Sequence, residues 1–436
     1  VVKLKVVLII FLLASIAFSQ TLAGKVQVIG KTTIGGGVDV TLITANLQHG
    51  QNTANNFNFT TQVNSITPNA DIVAVQERTT SETGWDSALA SAGFSQAVFK
   101  AHIGSPGDGN AIWIRASRVT AVTTYSFDLT NGANPTSGST QFGWDGTTDI
   151  RRSGCAIKAQ VGSKQFYVVA AHMVSNSGED SSNTNFAAQR VDQINSLNSW
   201  IISNLTGGLP IVVAGDFNTP PNYPRAPERT YTADASTDVI TSTAHGFTDG
   251  TAVSLRNSGG TQPSPLLVGD SLYALATVYY VRDSTTNTFK LAASPGGAPI
   301  DLTTNGTGSN FVSATQWDLM RSGYYDLWQE GLANGTATVS WGDRDADGIQ
   351  DMPLDFQLTR THDTRRIDYV WLNRSAQGVT LKSITVPDGR ANCSTSLTLT
   401  GAFKECPDVV VLVDRPDDDG IRFTDHNIVQ ATLNFQ

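Results

Sequence analysis

The apolar residues of this chain fall mostly in short blocks that alternate with polar residues or end in them, a strand-like rhythm more than a helical one. Val38 to Asn46 alternates and is rich in β-branched residues, which predicts a strand ending near Asn46. Asp71 to Glu77 holds a nearly continuous apolar run, as a buried strand does, and finishes in Gln76 and Glu77, so a carboxylate is expected at its tip. Further strands are predicted at Asn110 to Arg115, Cys155 to Val161 and Gln165 to His172, with a short helix-like stretch at Phe57 to Ile66 closed by Pro68. Helical spacing is clear over Asn185 to Leu205, where Phe186, Val191, Ile194, Leu197, Ile201 and Leu205 recur on one face and Gly207 and Gly208 end the helix. Pro210 then leads into Ile211 to Asn218, another buried strand with polar residues at its tip. Strands interleaved with helices predict a layered α/β core.

The rhythm changes after Pro220 and Pro221. From about Arg229 to Phe311 the chain is rich in Thr, Ser and Gly, with short β-like runs at Ala276 to Val281 and Thr288 to Leu291 and no helical pattern. The first pattern resumes at Trp317, with Tyr324 to Trp328 and later Ile367 to Trp371. This predicts one α/β domain in two parts, 36–228 and 314–436, with a small β-rich module at 229–313 inserted into a surface loop.

Composition, charge and the first residues add further points. Hydrophobic residues make up 40% and charged residues 15% of the 436, which excludes a disordered chain and leaves room for a large core and a smaller unit. Lys3 and Lys5 precede the apolar run Val6 to Phe18, and Ala17-Phe18-Ser19 fits a cleavage site, so 1–19 is expected to be a secretory signal peptide cut near Ser19 and Gln20. A retained membrane anchor is the alternative, against which the run is short of the roughly 20 residues a bilayer needs. No other segment is apolar enough to span, so the mature protein is expected to be secreted without a transmembrane anchor. Losing Lys3 and Lys5 takes the formal charge from −9 to −11, which argues against a broad basic surface and leaves any phosphate substrate to local Arg residues and bound cations. Of the three cysteines, Cys155 sits in a strand pattern and is expected to be a buried thiol, while Cys393 and Cys406 flank a short loop where a disulfide is open.

Polar groups collect at strand ends: Asn46, Gln76 with Glu77, Asp216 with Asn218, and Asp425 with His426, joined by His172 and Asp368. Each alone has an ordinary structural explanation, such as a cap, an ion pair or a core histidine. Together they supply carboxylate and amide oxygens for a hard divalent cation and two imidazoles for proton transfer, the combination that metal-assisted phosphodiester hydrolysis requires.

The stretches Thr44-Ala45-Asn46-Leu47, Val75-Gln76-Glu77, the strand end at His172, Gly215-Asp216-Phe217-Asn218, Arg366-Ile367-Asp368-Tyr369-Val370 and Thr424-Asp425-His426-Asn427 occur in one order along the chain. In that order they resemble the endonuclease/exonuclease/phosphatase superfamily, of which deoxyribonuclease I is a member. The resemblance implies a four-layer α/β sandwich, two packed sheets flanked by helices, with the site where strand ends meet. It implies Glu77 as principal ligand of Mg²⁺ or Mn²⁺, with Asn46 and Asp425 nearby. It implies that Asp216 orients or deprotonates the attacking water, that Asn218 holds a phosphate oxygen, and that His426, steadied by Asp368, contacts the phosphate or moves a proton. By the same resemblance His172 is expected to assist on the leaving side, and Arg152 is a candidate phosphate-facing arginine. Two departures stand out: Thr424 replaces the family's frequent Ser, and no carboxylate partner for His172 is evident in the sequence.

Asp343, Asp345, Asp347 and Asp351, with Gly348 between, place oxygen ligands as the first half of a Ca²⁺ loop does; Leu354 at the twelfth position rules out a complete EF-hand, and a structural Ca²⁺ or a solvated acidic turn are the readings. The inserted module is expected near the rim of the site, with an unknown surface, polymer or protein ligand; its Tyr273, Tyr279 and Tyr280 suit either stacking on a ligand or a small core. The function expected is an extracellular endonuclease cleaving DNA, with RNA a second substrate. The same site on a lipid would make a sphingomyelinase or phospholipase-type enzyme, for which no apolar membrane-entering hairpin is seen in the sequence. A phosphatase, a toxin-like nuclease subunit, or an adhesive protein displaying the insertion are the remaining alternatives.

Overall fold

β-Branched and apolar runs build two sheets that face each other. The computed structural model describes residues 37–47, 69–79, 83–102, 105–129, 152–174, 184–225, 227–267, 278–339, 368–386 and 429–436. The elements below all belong to one compact unit, Val38–Phe435. In chain order they are β1 (Val38–Asn46), β2 (Ile72–Thr79), α1 (Thr83–Ser91), β3 (Phe94–His102), β4 (Ser105–Arg115) and β5 (Thr120–Asp128). Then come β6 (Ser153–Val161), β7 (Lys164–His172), α2 (Thr184–Asn204) and β8 (Ile211–Asp216). Six strands follow: β9 (Arg229–Asp234), β10 (Val239–Thr241), β11 (Ala252–Ser258), β12 (Tyr279–Arg282), β13 (Thr288–Ala292) and β14 (Ser309–Ala314). The last group is α3 (Trp317–Arg321), β15 (Tyr324–Asp326), α4 (Leu327–Asn334), β16 (Ala337–Val339), β17 (Asp368–Asn373), β18 (Val379–Val386) and β19 (Val429–Phe435).

One sheet runs β16-β18-β19-β1-β2-β4-β3 and the other β15-β17-β8-β7-β6-β5. Successive strand residues face opposite sides, and here both sides are apolar. Val40, Leu42, Ile72, Ala74 and Ile112 of the first sheet meet Ile157, Phe166, Val168, Val212 and Val370 of the second in one buried core. The intervening residues face outward: Ile43, Val73 and Val75 pack on Trp85 and Leu89 of α1, and Val169, Ala171 and Val213 pack on Ile194, Leu197 and Ile201 of α2. Helix, sheet, sheet and helix make the four-layer α/β sandwich. Burying each of these aliphatic side chains stabilises it by about 1.5–3 kcal/mol before conformational entropy is subtracted.

The second sheet depends on one close approach. A Cβ on Gly215 would collide with the carbonyl oxygen of Ala171 on the neighbouring strand β7. Gly215→Ala is therefore expected to destabilise the fold by about 3 kcal/mol and to displace the adjoining Asp216. A urea melt and an activity assay on the same sample check both effects.

β9 to β14 close a barrel in the order β10-β13-β12-β11-β14-β9, built from one continuous stretch between β8 and α3. Tyr231, Val253, Leu255, Val281, Phe289 and Val312 fill it. Its two connections run side by side: Pro224 bridges Thr315, and Gln316 N–H donates to Tyr223 O at 2.9 Å. Ala252 N–H donates to Asp318 Oδ1 at 3.0 Å, tying the barrel to α3. Tyr279 and Tyr280 are buried, so they act as core residues, while Tyr273 lies outside the described residues.

Several details differ from the sequence pattern. β2 does not stop at Glu77 but continues to Thr79 through an irregularity. Tyr324 to Trp328 divides into a three-residue strand and the start of α4. β3, β5, β18 and β19 are strands the pattern did not reveal. Cys155 is an unpaired buried thiol whose pKa burial pushes upward. The expected helix at Phe57 to Ile66, the signal peptide at 1–19 and the pair Cys393 and Cys406 lie outside the described residues.

Candidate active site

Sheet register brings the polar strand ends to one end of the sandwich. In the first sheet β1 and β2 run parallel, with Asn46 beside Gln76, and Leu47 N–H donates to Gln76 O at 2.9 Å. Between Val75 and Arg78 two residues of β2, Gln76 and Glu77, oppose the single Asn110 of β4, which makes a β-bulge. Glu77 takes φ 53° there, a left-handed conformation that costs a residue with a Cβ about 1 kcal/mol or more. The bulge turns the Glu77 carboxylate towards the second sheet.

In the second sheet β7 and β8 are parallel and β8 and β17 antiparallel, so His172, Asp216 and Asp368 lie abreast. All three are buried. Asp216 is the centre of a hydrogen-bond set. Asn46 Nδ2 donates to its Oδ2 across the sandwich at 3.0 Å. Asn218 donates twice, from its backbone N–H to Oδ1 at 2.7 Å and from Nδ2 to Oδ2 at 3.1 Å. Asn218 reaches this position with φ 49°, a conformation that Asn accepts more readily than most residues.

Donor and acceptor inventory fixes the state of His172. Arg152 Nη1, which can only donate, lies 3.3 Å from Nδ1, so Nδ1 is the acceptor and the neutral ring carries its proton on Nε2. Nε2 stands 3.5 Å from Asp216 Oδ2 and 3.6 Å from Glu77 Oε1. It is also 3.1 Å from Asn218 Nδ2. The two hydrogens of that amide go to Asp216 Oδ2 and, at 3.0 Å, to Met173 O, so the contact with Nε2 is packing rather than a third hydrogen bond. The sequence showed no carboxylate near His172; the fold puts Glu77 and Asp216 beside one nitrogen and Arg152 beside the other. Arg152 Nη1 also lies 4.0 Å from Asp108 Oδ2.

Behind Arg152 is a polar group that motif reading missed. His102 Nδ1 accepts from Ser153 N–H at 3.0 Å, and Asn110 Nδ2 donates to Ser153 O at 2.7 Å. His102, Asp108 and Asn110 belong to no sequence motif. The available signal was their placement as polar residues within strand-forming segments.

Oxygen donors fit a hard divalent cation. Asn46 commits its amide hydrogen-bond donor to Asp216, which leaves its carbonyl oxygen as the ligating atom, and Glu77 supplies a carboxylate from the adjoining strand. Among the described residues no three His, Cys, Asp or Glu side chains form a metal nest by themselves. The third expected ligand, Asp425, lies outside the described residues, as do His426 and the acidic repeat Asp343, Asp345, Asp347 and Asp351. The structure therefore brings together Asn46, Glu77, Arg152, His172, Asp216, Asn218 and Asp368.

The sequence profile of the Endonuclease/Exonuclease/phosphatase family matches residues 43–426. The chain belongs to this family. The match spans both halves of the sandwich and every motif at its polar end. The activities in the family's name all hydrolyse phosphate esters, and the fold is the family's α/β sandwich. Among solved structures, an endonuclease/exonuclease/phosphatase from Bacteroides vulgatus is 14% identical, covering 92% of this chain and 100% of its own, with TM-score 0.46. TDP2 of D. rerio, complexed with a single-strand DNA product, is 15% identical over 91% of this chain and 99% of its own, with TM-score 0.41. A mannosyl-6-phosphatase from Bacteroides thetaiotaomicron is 12% identical over 91% and 100%, with TM-score 0.43. Likeness this distant carries nothing about substrate. No curated protein sequence matches the chain significantly.

Proposed function

We propose that this chain is a secreted, divalent-metal-dependent phosphodiesterase acting on DNA, with RNA as a second substrate. The observation that carries the reading is the convergence of Asn46, Glu77, His172, Asp216 and Asn218 at one end of the sandwich. Asn46 and Glu77, with Asp425, would hold Mg²⁺ or Mn²⁺. When bound, the cation neutralises charge that grows on the phosphate oxygens.

The chain's own residues supply the rest. Asp216, held by Asn46 and Asn218, is oriented to take a proton from the attacking water. His172 directs Nε2–H as a hydrogen-bond donor towards the leaving side, and Arg152 adds positive charge beside it. Asn218 must release Met173 O or Asp216 before its amide can hold a phosphate oxygen. Asp368, abreast of Asp216, is assigned to steady His426.

A polymer in solution suits the surface better than a lipid interface. Among the described residues the exposed large apolar side chains are Val122, Ile202 and Leu267, scattered on three segments rather than gathered on one hairpin. No helix among those residues is long and apolar enough to cross a membrane.

The test is a hydrolysis panel on the purified chain: plasmid DNA, RNA, sphingomyelin and bis(p-nitrophenyl) phosphate, each with Mg²⁺, Mn²⁺, Ca²⁺ or EDTA. Plasmid nicking that needs metal is expected. Cleavage of sphingomyelin with plasmid left intact would overturn the substrate and keep the chemistry; hydrolysis unaffected by EDTA would overturn the metal.

A further inference from the structure

The pairing of β6 with β7 stops one step short of the site. Its last register pair is Gly154 with Ala171, so a further step would set Ser153 against His172. Arg152 O accepts from Leu129 N–H at 2.9 Å on the β5 side. In a trans peptide N–H and C=O point opposite ways, so Ser153 N–H points to the β7 side, where His172 stands. In a strand a residue's own N–H and C=O point the same way, and Ser153 O faces that side too. The N–H does not complete that pair with the His172 carbonyl. Ser153 N–H donates to His102 Nδ1 at 3.0 Å, and Ser153 O accepts from Asn110 Nδ2 at 2.7 Å. Both partners come from β3 and β4 of the opposite sheet, and all three residues are buried.

We propose that His102 and Asn110 clamp Ser153 across the sandwich, that His102 ends the β6–β7 ladder early by taking the Ser153 N–H, and that the clamp so sets the Arg152 guanidinium against His172 Nδ1. They are positioning residues: neither is placed on the phosphate, and both act through the residue next to Arg152, with the His102 ring also 5.8 Å from the His172 ring, centroid to centroid. The peptide between Arg152 and Ser153 is held at its oxygen by Leu129 and at its N–H by His102, which leaves Arg152 little freedom about its own backbone. The clamp also specifies the imidazole. Because His102 Nδ1 accepts a backbone N–H, the neutral ring must carry its proton on Nε2. The activity part of this inference rests on the phosphoesterase reading; the geometric part does not.

The experiment uses the full chain with ¹⁵N-labelled histidine and reads both ring nitrogens of each of its six histidines, alongside kcat/KM on bis(p-nitrophenyl) phosphate. In the wild-type protein His102 is expected as the Nε2–H tautomer, and His172 Nδ1 as an acceptor. His102→Leu is expected to lower kcat/KM about 10- to 100-fold through misplacement of Arg152 and to move the His172 Nδ1 resonance. His102→Asn, whose Oδ1 replaces the lost acceptor, is expected to restore kcat/KM. In an Arg152→Ala background the His102→Leu effect should vanish, since the clamp acts through that arginine.

A wild-type His102 protonated on Nδ1 would overturn the clamp without any variant, including the case in which His102→Leu fails to fold. An undiminished His102→Leu effect in the Arg152→Ala background would overturn the positioning role. Should the wild-type protein hydrolyse no phosphoester, the functional reading fails, while the His102 tautomer still decides the clamp.

Discussion

Asp216→Ala is expected to lower turnover on a phosphodiester about 10³-fold, within the range for loss of a positioned general base, while the protein stays folded. The same carboxylate collects Asn46 Nδ2, Asn218 N–H and Asn218 Nδ2. Its removal strands buried donors, each costing about 1–3 kcal/mol where no water replaces the acceptor, so the melting temperature should fall by several degrees. Asp216→Asn separates the two effects. It preserves volume but sets an NH₂ group among three donors, so it should be no more active than alanine and gain little stability from its better fit. Kinetics and thermal melts on both variants check this. Wild-type turnover in folded Asp216→Ala would remove the residue from the chemistry.

Glu77→Gly is the second large effect, and its two readouts should move in opposite directions. Loss of the carboxylate removes a metal ligand, for which a fall in kcat/KM of about 10²-fold or more is expected, together with weaker metal dependence. Yet Glu77 has φ 53°, a conformation glycine adopts without a Cβ penalty. It also places a second carboxylate near the His172 Nε2 that Asp216 approaches. In metal-free buffer with EDTA, the variant should melt at the same temperature as wild type or higher. Adding Mg²⁺ should stabilise the wild-type protein more than the variant, because a ligand that binds only the folded state stabilises it by mass action. A variant that loses stability in EDTA would show that the bulge needs the Glu77 side chain for folding.

Much of this architecture was legible because its strands are buried on both faces. β7 and β8 carry unbroken apolar runs, which have few other ways to bury themselves, and β1 alternates with mostly β-branched residues. Asn46, His172 and Asp216 could be read as their ends for the same reason. Glu77 was found as a carboxylate, but its placement was misread: the strand continues past it, and only pairing with Asn110 shows the bulge. β19 alternates strictly from Val429 to Phe435, so its period was available. β3, by contrast, lies at a sheet edge and is half-exposed, which blurs the alternation. The His102, Asn110 and Ser153 set could not be read at all. Its members are 51 and 43 positions apart and meet only because two sheets stack.

The barrel and the sandwich have opposite assembly histories written into their connectivity. Every partner in the barrel lies between Arg229 and Ala314, so a growing chain can close it as soon as that stretch is free. The first sheet cannot do the same. β19 lies between β18 and β1, with Phe435 paired to Val38 nearly the whole sequence away. Loop closure over that separation is slow compared with local pairing. Until it happens, β1 has no partner on one side and presents an apolar, unpaired edge. A polypeptide cut short before residue 429 would therefore carry a finished barrel on an unfinished sheet, prone to association. The first sheet, and with it the Asn46 and Glu77 end of the site, would be complete only when β19 had joined β1.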